Sequence, residues 1–299
     1  MRQAGPGVRI GGHLSIARGM TALAREAVAT GCECAQMFTR SPRGGAPKPL
    51  DPQDIAAMRN ILEGAGIGPL VVHCPYYVNP AAADTELGEL ASRIIHEDRQ
   101  RAAALGAQFL VVHAGHRKAA SPEAAIDAVA KRVALGIAAG QSVPATAAVT
   151  VLLENGAGAR GDAAGTLESW AQCMLRVAEQ GLPVGACLDT AHLWGAGLLP
   201  EADNLGTLLT ELRSLGLLQR LRLLHLNDSS VEHGSRRDRH EHIGQGRIPV
   251  DFFARLLGEP LLAGLSGIVE SNPQDGGMAR DVARLQRLRQ RASGGRDPC

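Results

Sequence analysis

Short apolar runs alternate with longer amphipathic segments along most of this 299-residue chain. Seven of the runs end at a histidine, an aspartate or a glutamate, namely His13, His73, His113, Glu154, Asp189, His225 and Glu270. An eighth run ends near Phe38, and successive ends lie 25–45 residues apart. Runs that are apolar throughout are typical of strands buried on both faces of a parallel sheet. The pattern therefore predicts eight buried strands, most of them ending in a side chain that can bind metal.

The segments between the runs have the periodicity of amphipathic helices. From Met20 to Val28, apolar residues recur at positions i, i+3, i+7 and i+8, which lie on one face of a helix. Similar segments are found near 52–63, 84–105, 122–139, 165–180, 203–219, 250–257 and 279–291. Eight alternating strand–helix units predict a (β/α)8 TIM barrel, in which the carboxyl ends of all strands meet at one rim.

The main alternative fold is an open doubly wound sheet. Its Gly-x-Gly-x-x-Gly loop does not follow the first strand, where Gly11-Gly12-His13 stands instead. No linker or break in composition divides the chain. We therefore expect one barrel domain over residues 1–292 and a disordered tail over residues 293–299.

Composition narrows the classes of protein. The formal net charge of +1 does not indicate a strongly basic nucleic-acid binder. No apolar stretch reaches the ~20 residues of a membrane span, and the first residues lack the apolar segment of a signal peptide, so we expect a cytoplasmic protein. The six cysteines form no Cys-x-x-Cys pair, which favours reduced core thiols. Cys74, beside His73, is the one thiol that could compete for a metal.

The polar residues at the strand ends have the chemistry of a metal site. Five of the ten histidines stand at a strand end or close to a carboxylate: His73, His113, His192, His225 and His240. Four carboxylates share these regions: Glu154, Asp189, Asp238 and Glu270. One catalytic zinc uses about three protein ligands, so nine ligands predict two or three ions with one carboxylate bridging. His13 has a strand-end position but no identified partner.

Several longer motifs resemble the endonuclease IV family of apurinic/apyrimidinic endonucleases. They are Gly185-Ala-Cys-Leu-Asp-Thr-Ala-His-Leu-Trp-Gly-Ala-Gly197, His225-Leu-Asn-Asp-Ser229, Gly234-Ser-Arg-Arg-Asp-Arg-His240 and Ile243-Gly-Gln-Gly246. Further family segments are similar to Glu154-Asn155 and Phe38-Thr-Arg-Ser-Pro-Arg43. The matches follow the family order from His13 to Glu270, and such spacing makes the resemblance specific.

The resemblance implies an enzyme that hydrolyses the phosphodiester 5′ to abasic sites in duplex DNA, leaving 3′-hydroxyl and 5′-deoxyribose phosphate ends, and that also trims blocked 3′ ends. It implies a first zinc at His73, His113 and Glu154, a second at Glu154, Asp189, His225 and Glu270, and a third, more exposed ion at His192, Asp238 and His240. The third site would also accept manganese. Glu154 as the bridge and Glu270 as the group orienting the attacking hydroxide would be the catalytic carboxylates.

The resemblance also implies contacts with DNA. Arg43 and Tyr76 fall where family members insert side chains at the lesion, with Tyr77 as the alternative tyrosine. Asn227 and Arg239 are further expected DNA contacts. Three Zn²⁺ ions would add +6 to the net charge of +1 and concentrate it where a phosphate backbone binds. Besides duplex DNA with abasic sites, no membrane and no obligate protein partner is expected.

The main functional alternative is a sugar isomerase or epimerase on a related metal-dependent barrel. Such an enzyme needs one or two metal ions and has no use for a third cluster. His192 together with Asp238 and His240 therefore favours the nuclease. Amidohydrolases usually carry His-x-His on the first strand, where this chain has only His13.

Overall fold

Eight parallel strands close into a barrel with helices around it, which confirms the predicted single-domain TIM barrel. The computed structural model describes residues 7–82, 85–199, 205–271 and 276–294. The strands are β1 (Arg9–His13), β2 (Ala35–Phe38), β3 (Leu70–His73), β4 (Phe109–His113), β5 (Thr150–Glu154), β6 (Val184–Asp189), β7 (Leu221–His225), β8 (Asp228–Ser229), β9 (His240–Glu241) and β10 (Ser266–Val269). The barrel order is β1-β2-β3-β4-β5-β6-β7-β10, closed by parallel pairing of β10 with β1.

Ten α-helices lie between and after the strands in the described part of the chain, eight of them close to predicted segments and the two shortest not predicted. They are α1 (Met20–Ala29), α2 (Pro52–Gly64), α3 (Thr85–Leu105), α4 (Pro122–Ala138), α5 (Pro144–Ala147), α6 (Leu167–Ala178), α7 (Thr190–Ala196), α8 (Leu205–Ser214), α9 (Val250–Gly258) and α10 (Gly277–Gly294). The Asp51 and Ser121 side chains cap α2 and α4 by accepting from Gln53 N and Ala124 N. In the described part of the chain, no helix is long and apolar enough to cross a membrane.

The largest differences between the predicted and the observed helices are at the ends of two of them. The segment predicted over 203–219 ends at Ser214, because Gly216 adopts a left-handed φ of 70° and so terminates the helix. Positions 84 and 203–204 of the predicted helices lie outside the described residues. The last helix runs to Gly294, so it includes the first two residues of the predicted tail, and residues 295–299 lie outside the described part.

The barrel interior is filled in layers. One layer consists of inward-facing residues that are 0 % exposed: Cys34, Val71, Val111, Leu152, Cys187, Leu223 and Ile268. Because side chains alternate along a strand, the residue two positions further along each strand also points inward, at the carboxyl rim. These rim residues are Gln36, His73, His113, Glu154, Asp189, His225 and Glu270. The fold therefore directs six of the nine predicted ligands toward one point.

Candidate metal centre

Glu154 occupies the middle of the carboxyl rim. It ends β5 and is 1 % exposed. Imidazole nitrogens of four histidines lie close to its carboxylate, at 2.9 Å for His225, 3.0 Å for His113, 3.3 Å for His73 and 3.4 Å for His192. These histidines come from β7, β4, β3 and α7, so side chains far apart in sequence converge on one buried acid.

A second group of ligand atoms surrounds the His225 side chain. His225 Nδ1 lies 2.9 Å from Glu154 Oε1, 3.3 Å from Glu270 Oε2 and 3.8 Å from Asp189 Oδ2. One ligand atom from each of these four residues lies within 4.8 Å of the others. The group has the same membership as the set expected for the second ion.

A third group adjoins the second and is more open. Ligand atoms of Asp189, His192 and His240 lie within 4.8 Å of one another. Asp238 Oδ2 is 3.3 Å from His192 Nε2, and Asp238 Oδ1 is 3.2 Å from His240 Nε2. The Asp238 side chain is 48 % exposed, more than the 28 % of His113 and the 21 % of His240. The structure thus brings all nine predicted ligands into one contiguous cluster.

Backbone carbonyls orient two of the imidazoles. His192 Nδ1 donates to Asn155 O at 2.8 Å, and His73 Nδ1 donates to Cys74 O at 2.6 Å. In both rings Nε2 is left to face the carboxylates. A hydrogen bond from the second ring nitrogen to a carbonyl is how proteins fix the tautomer of a metal-binding histidine.

Comparisons with known proteins identify the family of this chain. A family model described as xylose isomerase-like TIM barrel matches residues 24–288. A protein of Heliobacterium modesticaldum named "Probable endonuclease 4" is 37 % identical over 278 residues, which cover 92 % of this chain and 96 % of that protein. The chain belongs to the endonuclease IV family.

Solved structures place this family member within a wider fold group. Endonuclease IV from Thermus thermophilus is 33 % identical, with a TM-score of 0.81 over 95 % of this chain and 99 % of that chain. A D-tagatose 3-epimerase-like protein has a TM-score of 0.68 over 96 % of this chain and 97 % of that chain, at 17 % identity. At that identity the epimerase shows only a shared barrel, so the choice of function depends on the rim residues.

Histidines at the rim favour the ionised forms of Glu154 and Asp238. Burial acts to raise the pKa of Glu154, but the charges of His113 and His225 hold it well below its usual range. Burial opposes ionisation of Asp238 too, yet hydrogen bonds from two histidines lower its pKa strongly. Burial acts to lower the pKa of His240, and Asp238 outweighs it and raises that pKa to about 9. Ionised oxygens interleaved with imidazole nitrogens are the donor set that suits zinc and similar divalent ions.

Asn227, which the resemblance implies as a DNA contact, lies inside the protein. It is 1 % exposed, and its Nδ2 donates to Asp189 Oδ2 at 2.7 Å and to Glu270 Oε2 at 3.1 Å. Its Oδ1 accepts from Glu270 N at 2.9 Å. The side-chain amide is therefore committed to two ligand carboxylates and lies behind the cluster.

The other expected DNA contacts lie at the mouth of the barrel. Tyr76 is 59 % exposed, and its ring centroid is 5.7 Å from that of His113. Tyr77 is half-buried against the core, and both tyrosines line the cavity beside the rim. Arg43 and Arg239 are exposed. A cavity of about 430 Å³ opens beside the rim, and its lining includes Tyr76, Asn79, His113, His116, Asn155 and Asp238.

Asp228 is part of a sequence motif but had no predicted role. In the structure it stabilises the loop that carries the third group. It is 0 % exposed, and β8 pairs antiparallel with β9 at His240. Its carboxylate accepts from four backbone N–H groups, of Ser229 at 2.7 Å, Gly244 at 2.8 Å, Ile248 at 2.9 Å and Gly246 at 3.1 Å. A Cβ at Gly246 would lie 2.4 Å from Asp228 Oδ1, so this approach requires glycine.

The structure shows the contacts of His13 and Cys74, whose roles the sequence analysis did not assign. His13, which had no predicted partner, has its Nδ1 3.4 Å from Glu270 Oε1. Cys74 is buried beside Asp98, and burial raises the pKa of its thiol well above the usual value. A protonated thiol turned to Asp98 is not a competing metal ligand. The rim position of β2 holds Gln36, which the sequence patterns did not identify because the apolar run there ends at Phe38.

Proposed function

We propose that this chain is a metal-dependent DNA-repair endonuclease that cleaves the phosphodiester 5′ to abasic sites in duplex DNA. The observation that carries the proposal is the rim cluster, in which the third group of Asp238, His192 and His240 adjoins the groups around Glu154. A phosphodiester has several charged oxygens in its transition state, and clustered ions stabilise both the attacking and the leaving oxygen. The relatives named endonuclease 4 support the same assignment.

The ligands divide among three ions in the proposed centre. The first would be held by His73, His113 and Glu154, the second by Glu154, Asp189, His225 and Glu270, and the third by His192, Asp238 and His240. Zinc in such sites supplies water with a pKa of about 7 and positive charge toward the phosphate oxygens. Both oxygens of Glu154 face imidazoles, which suits a carboxylate shared by two ions. The more exposed third group would also accept manganese.

Glu270 is the second proposed catalytic carboxylate. Its Oε1 accepts from Gln36 Nε2 at 2.7 Å and its Oε2 from Asn227 Nδ2 at 3.1 Å. Opposing forces act on its pKa: burial raises it, but His225 and His13 lower it well below the usual value. A carboxylate that is ionised and held from both sides can accept a hydrogen bond from the attacking water in a fixed direction.

The mouth of the barrel provides the DNA-binding surface. Tyr76 stands exposed above His113, where an aromatic ring can fill the gap at a missing base. Arg43 and Arg239 are exposed cations on loops that follow β2 and β8. Opening a duplex at an abasic site costs less than at an intact pair, because one base is already absent. The proposed products are a 3′-hydroxyl and a 5′-deoxyribose phosphate, and trimming of blocked 3′ ends uses the same chemistry.

Incision of a defined lesion tests the proposal. A labelled duplex with one tetrahydrofuran residue should be nicked on the 5′ side of the lesion, and the same duplex with an intact base should not. Incubation with a chelator should abolish nicking, and added zinc should restore it. Turnover of a ketose with no nicking would contradict the nuclease and support the epimerase alternative.

Metal content tests the number of ions separately from activity. Protein refolded or purified with ample zinc should contain about three equivalents per chain, because nine ligands at three or four per ion fill three sites. An Asp238→Ala variant should retain about two equivalents, since only the third group loses a ligand. One equivalent or fewer in the wild type would contradict the three-ion centre.

A further inference from the structure

Gln36 fills the rim position of β2, beside ligands on the other strands. It lies two residues after the inward-facing Cys34 and is 0 % exposed. Its neighbours in the barrel are His13 on β1 and Val71 on β3. A buried amide needs hydrogen-bond partners, and those of Gln36 are all at the metal centre.

One amide makes three contacts with the centre. Gln36 Oε1 accepts from His225 Nε2 at 3.0 Å. Gln36 Nε2 donates to Glu270 Oε1 at 2.7 Å and lies 3.0 Å from His13 Nδ1. The amide oxygen is therefore paired with His225 and the amide nitrogen with Glu270, so both polar atoms of the side chain have a partner at the centre.

The orientation of this amide follows from its neighbours. Rotating it by half a turn would place Oε1 against the Glu270 carboxylate, where two acceptors repel. It would also place Nε2 against His225 Nε2, where the acceptor for the imidazole N–H would be lost. Only the observed orientation satisfies both Glu270 and His225.

This orientation determines which nitrogen of His225 is available for a metal. Because Nε2 donates its hydrogen to Gln36, Nδ1 is the nitrogen that gives up its hydrogen and presents a lone pair when an ion binds. Nδ1 is the atom that faces Glu154, Asp189 and Glu270. An amide at this position selects the binding tautomer without adding charge to a group that already contains three carboxylates.

We propose that Gln36 is a positioning residue of the metal centre, which fixes the tautomer of His225 and the rotation of Glu270 for the ion they share. The inference rests on the proposed function only in requiring that an ion binds between these side chains. Outer hydrogen-bond partners of metal ligands typically change metal affinity or activity by about 10–100-fold when they are removed. Gln36 combines two such roles in one side chain.

The principal variant is Gln36→Met, which keeps the length of the side chain and removes both polar atoms. In zinc-loaded protein titrated with a chelator, the ion held by His225 and Glu270 should be released about 10–100-fold more readily than in the wild type. The matched control is Cys34→Ala, on the same strand and the same inward face one layer below, which should leave zinc affinity unchanged.

Imidazole NMR of the zinc-loaded protein separates positioning from a general loss of packing. Wild-type His225 should show a slowly exchanging Nε2 proton, and Gln36→Met should lose it while Cys34→Ala keeps it. Gln36→Glu should keep it, because a carboxylate oxygen still accepts from Nε2. This second variant keeps the inference testable if Gln36→Met does not fold.

Unchanged zinc affinity in Gln36→Met would overturn the inference. So would a His225 Nε2 proton that exchanges at the wild-type rate in all three variants. Neither measurement uses DNA. Weakened zinc binding in a protein that nicks no abasic duplex would therefore contradict the proposed function and leave the role of Gln36 intact. Normal zinc binding by Gln36→Met in an active nuclease would contradict the role of Gln36 and leave the proposed function intact.

Discussion

Replacing Glu154 with glutamine is expected to abolish incision of abasic DNA and to empty the first two metal sites. Glu154 Oε2 faces His73 and His113, and Oε1 faces His192 and His225. An amide has one oxygen, so Glu154→Gln can serve only one of these pairs, and its NH2 group meets the other. Loss of the bridging charge removes several kcal/mol of transition-state stabilisation, so the incision rate should fall at least about a thousandfold.

The matched control is Glu26→Gln, the same chemical change on α1. Glu26 pairs with Arg18, whose side chain is 77 % exposed, and exposed ion pairs contribute about 0–1 kcal/mol. Incision and zinc content should be those of the wild type in the control, and both variants should have native circular dichroism. A folded Glu154→Gln protein that retains a tenth of the wild-type rate would show that Glu154 is not the shared ligand.

Much of the barrel could be predicted because its strands end in side chains that do not belong in an apolar core. Seven predicted strand ends coincide with the observed ones, and β10 ends one residue before Glu270. The sequence did not predict α7, which follows β6 without a loop. Its N-cap is Asp189, whose Oδ1 accepts from His192 N at 2.8 Å while Oδ2 faces the cluster. Because Asp189 is both the last residue of β6 and the N-cap of α7, no separate capping residue in the sequence indicates where this helix begins.

The side chains that converge in the cluster could be predicted from residue type, but the side chains that hold them in place could not. Histidine and carboxylate side chains at strand ends are unusual and indicate a metal site. An amide such as Gln36 or Asn227 gives no such indication, because amides are also common on protein surfaces. Whether Asn227 faces outward or into the cluster depends on how the chain turns after β7. Gln36 could have been found by counting two residues from Cys34, but only once the inward-facing register of β2 is known. Residues that position a site can therefore be identified only when the fold is known.

Asp228→Asn is expected to lower the stability of the protein substantially, although Asp228 is not one of the nine predicted ligands. Asp228 Oδ1 accepts from Ser229 N and Ile248 N, and Oδ2 accepts from Gly244 N and Gly246 N. Asparagine offers one oxygen, so one pair of backbone donors faces an NH2 group and loses its acceptor. A buried donor without a partner costs about 1–3 kcal/mol, so the free energy of unfolding should fall by about 3 kcal/mol for the pair.

The same substitution should act on the third metal group through the loop. β8 pairs with β9 at His240. If the loop after β9 loses its hydrogen bonds to Asp228, we expect His240 and Asp238 to move away from the positions in which they face the same ion. Asp228→Asn should therefore lose about one zinc equivalent per chain, measured by elemental analysis, besides its lower midpoint in urea. Asp251→Asn, an exposed acid in the first turn of α9, is the control and should shift stability by no more than about 1 kcal/mol. Equal stability and equal zinc content in the two variants would mean that the loop is held by its other contacts, and that Asp228 does not support the site.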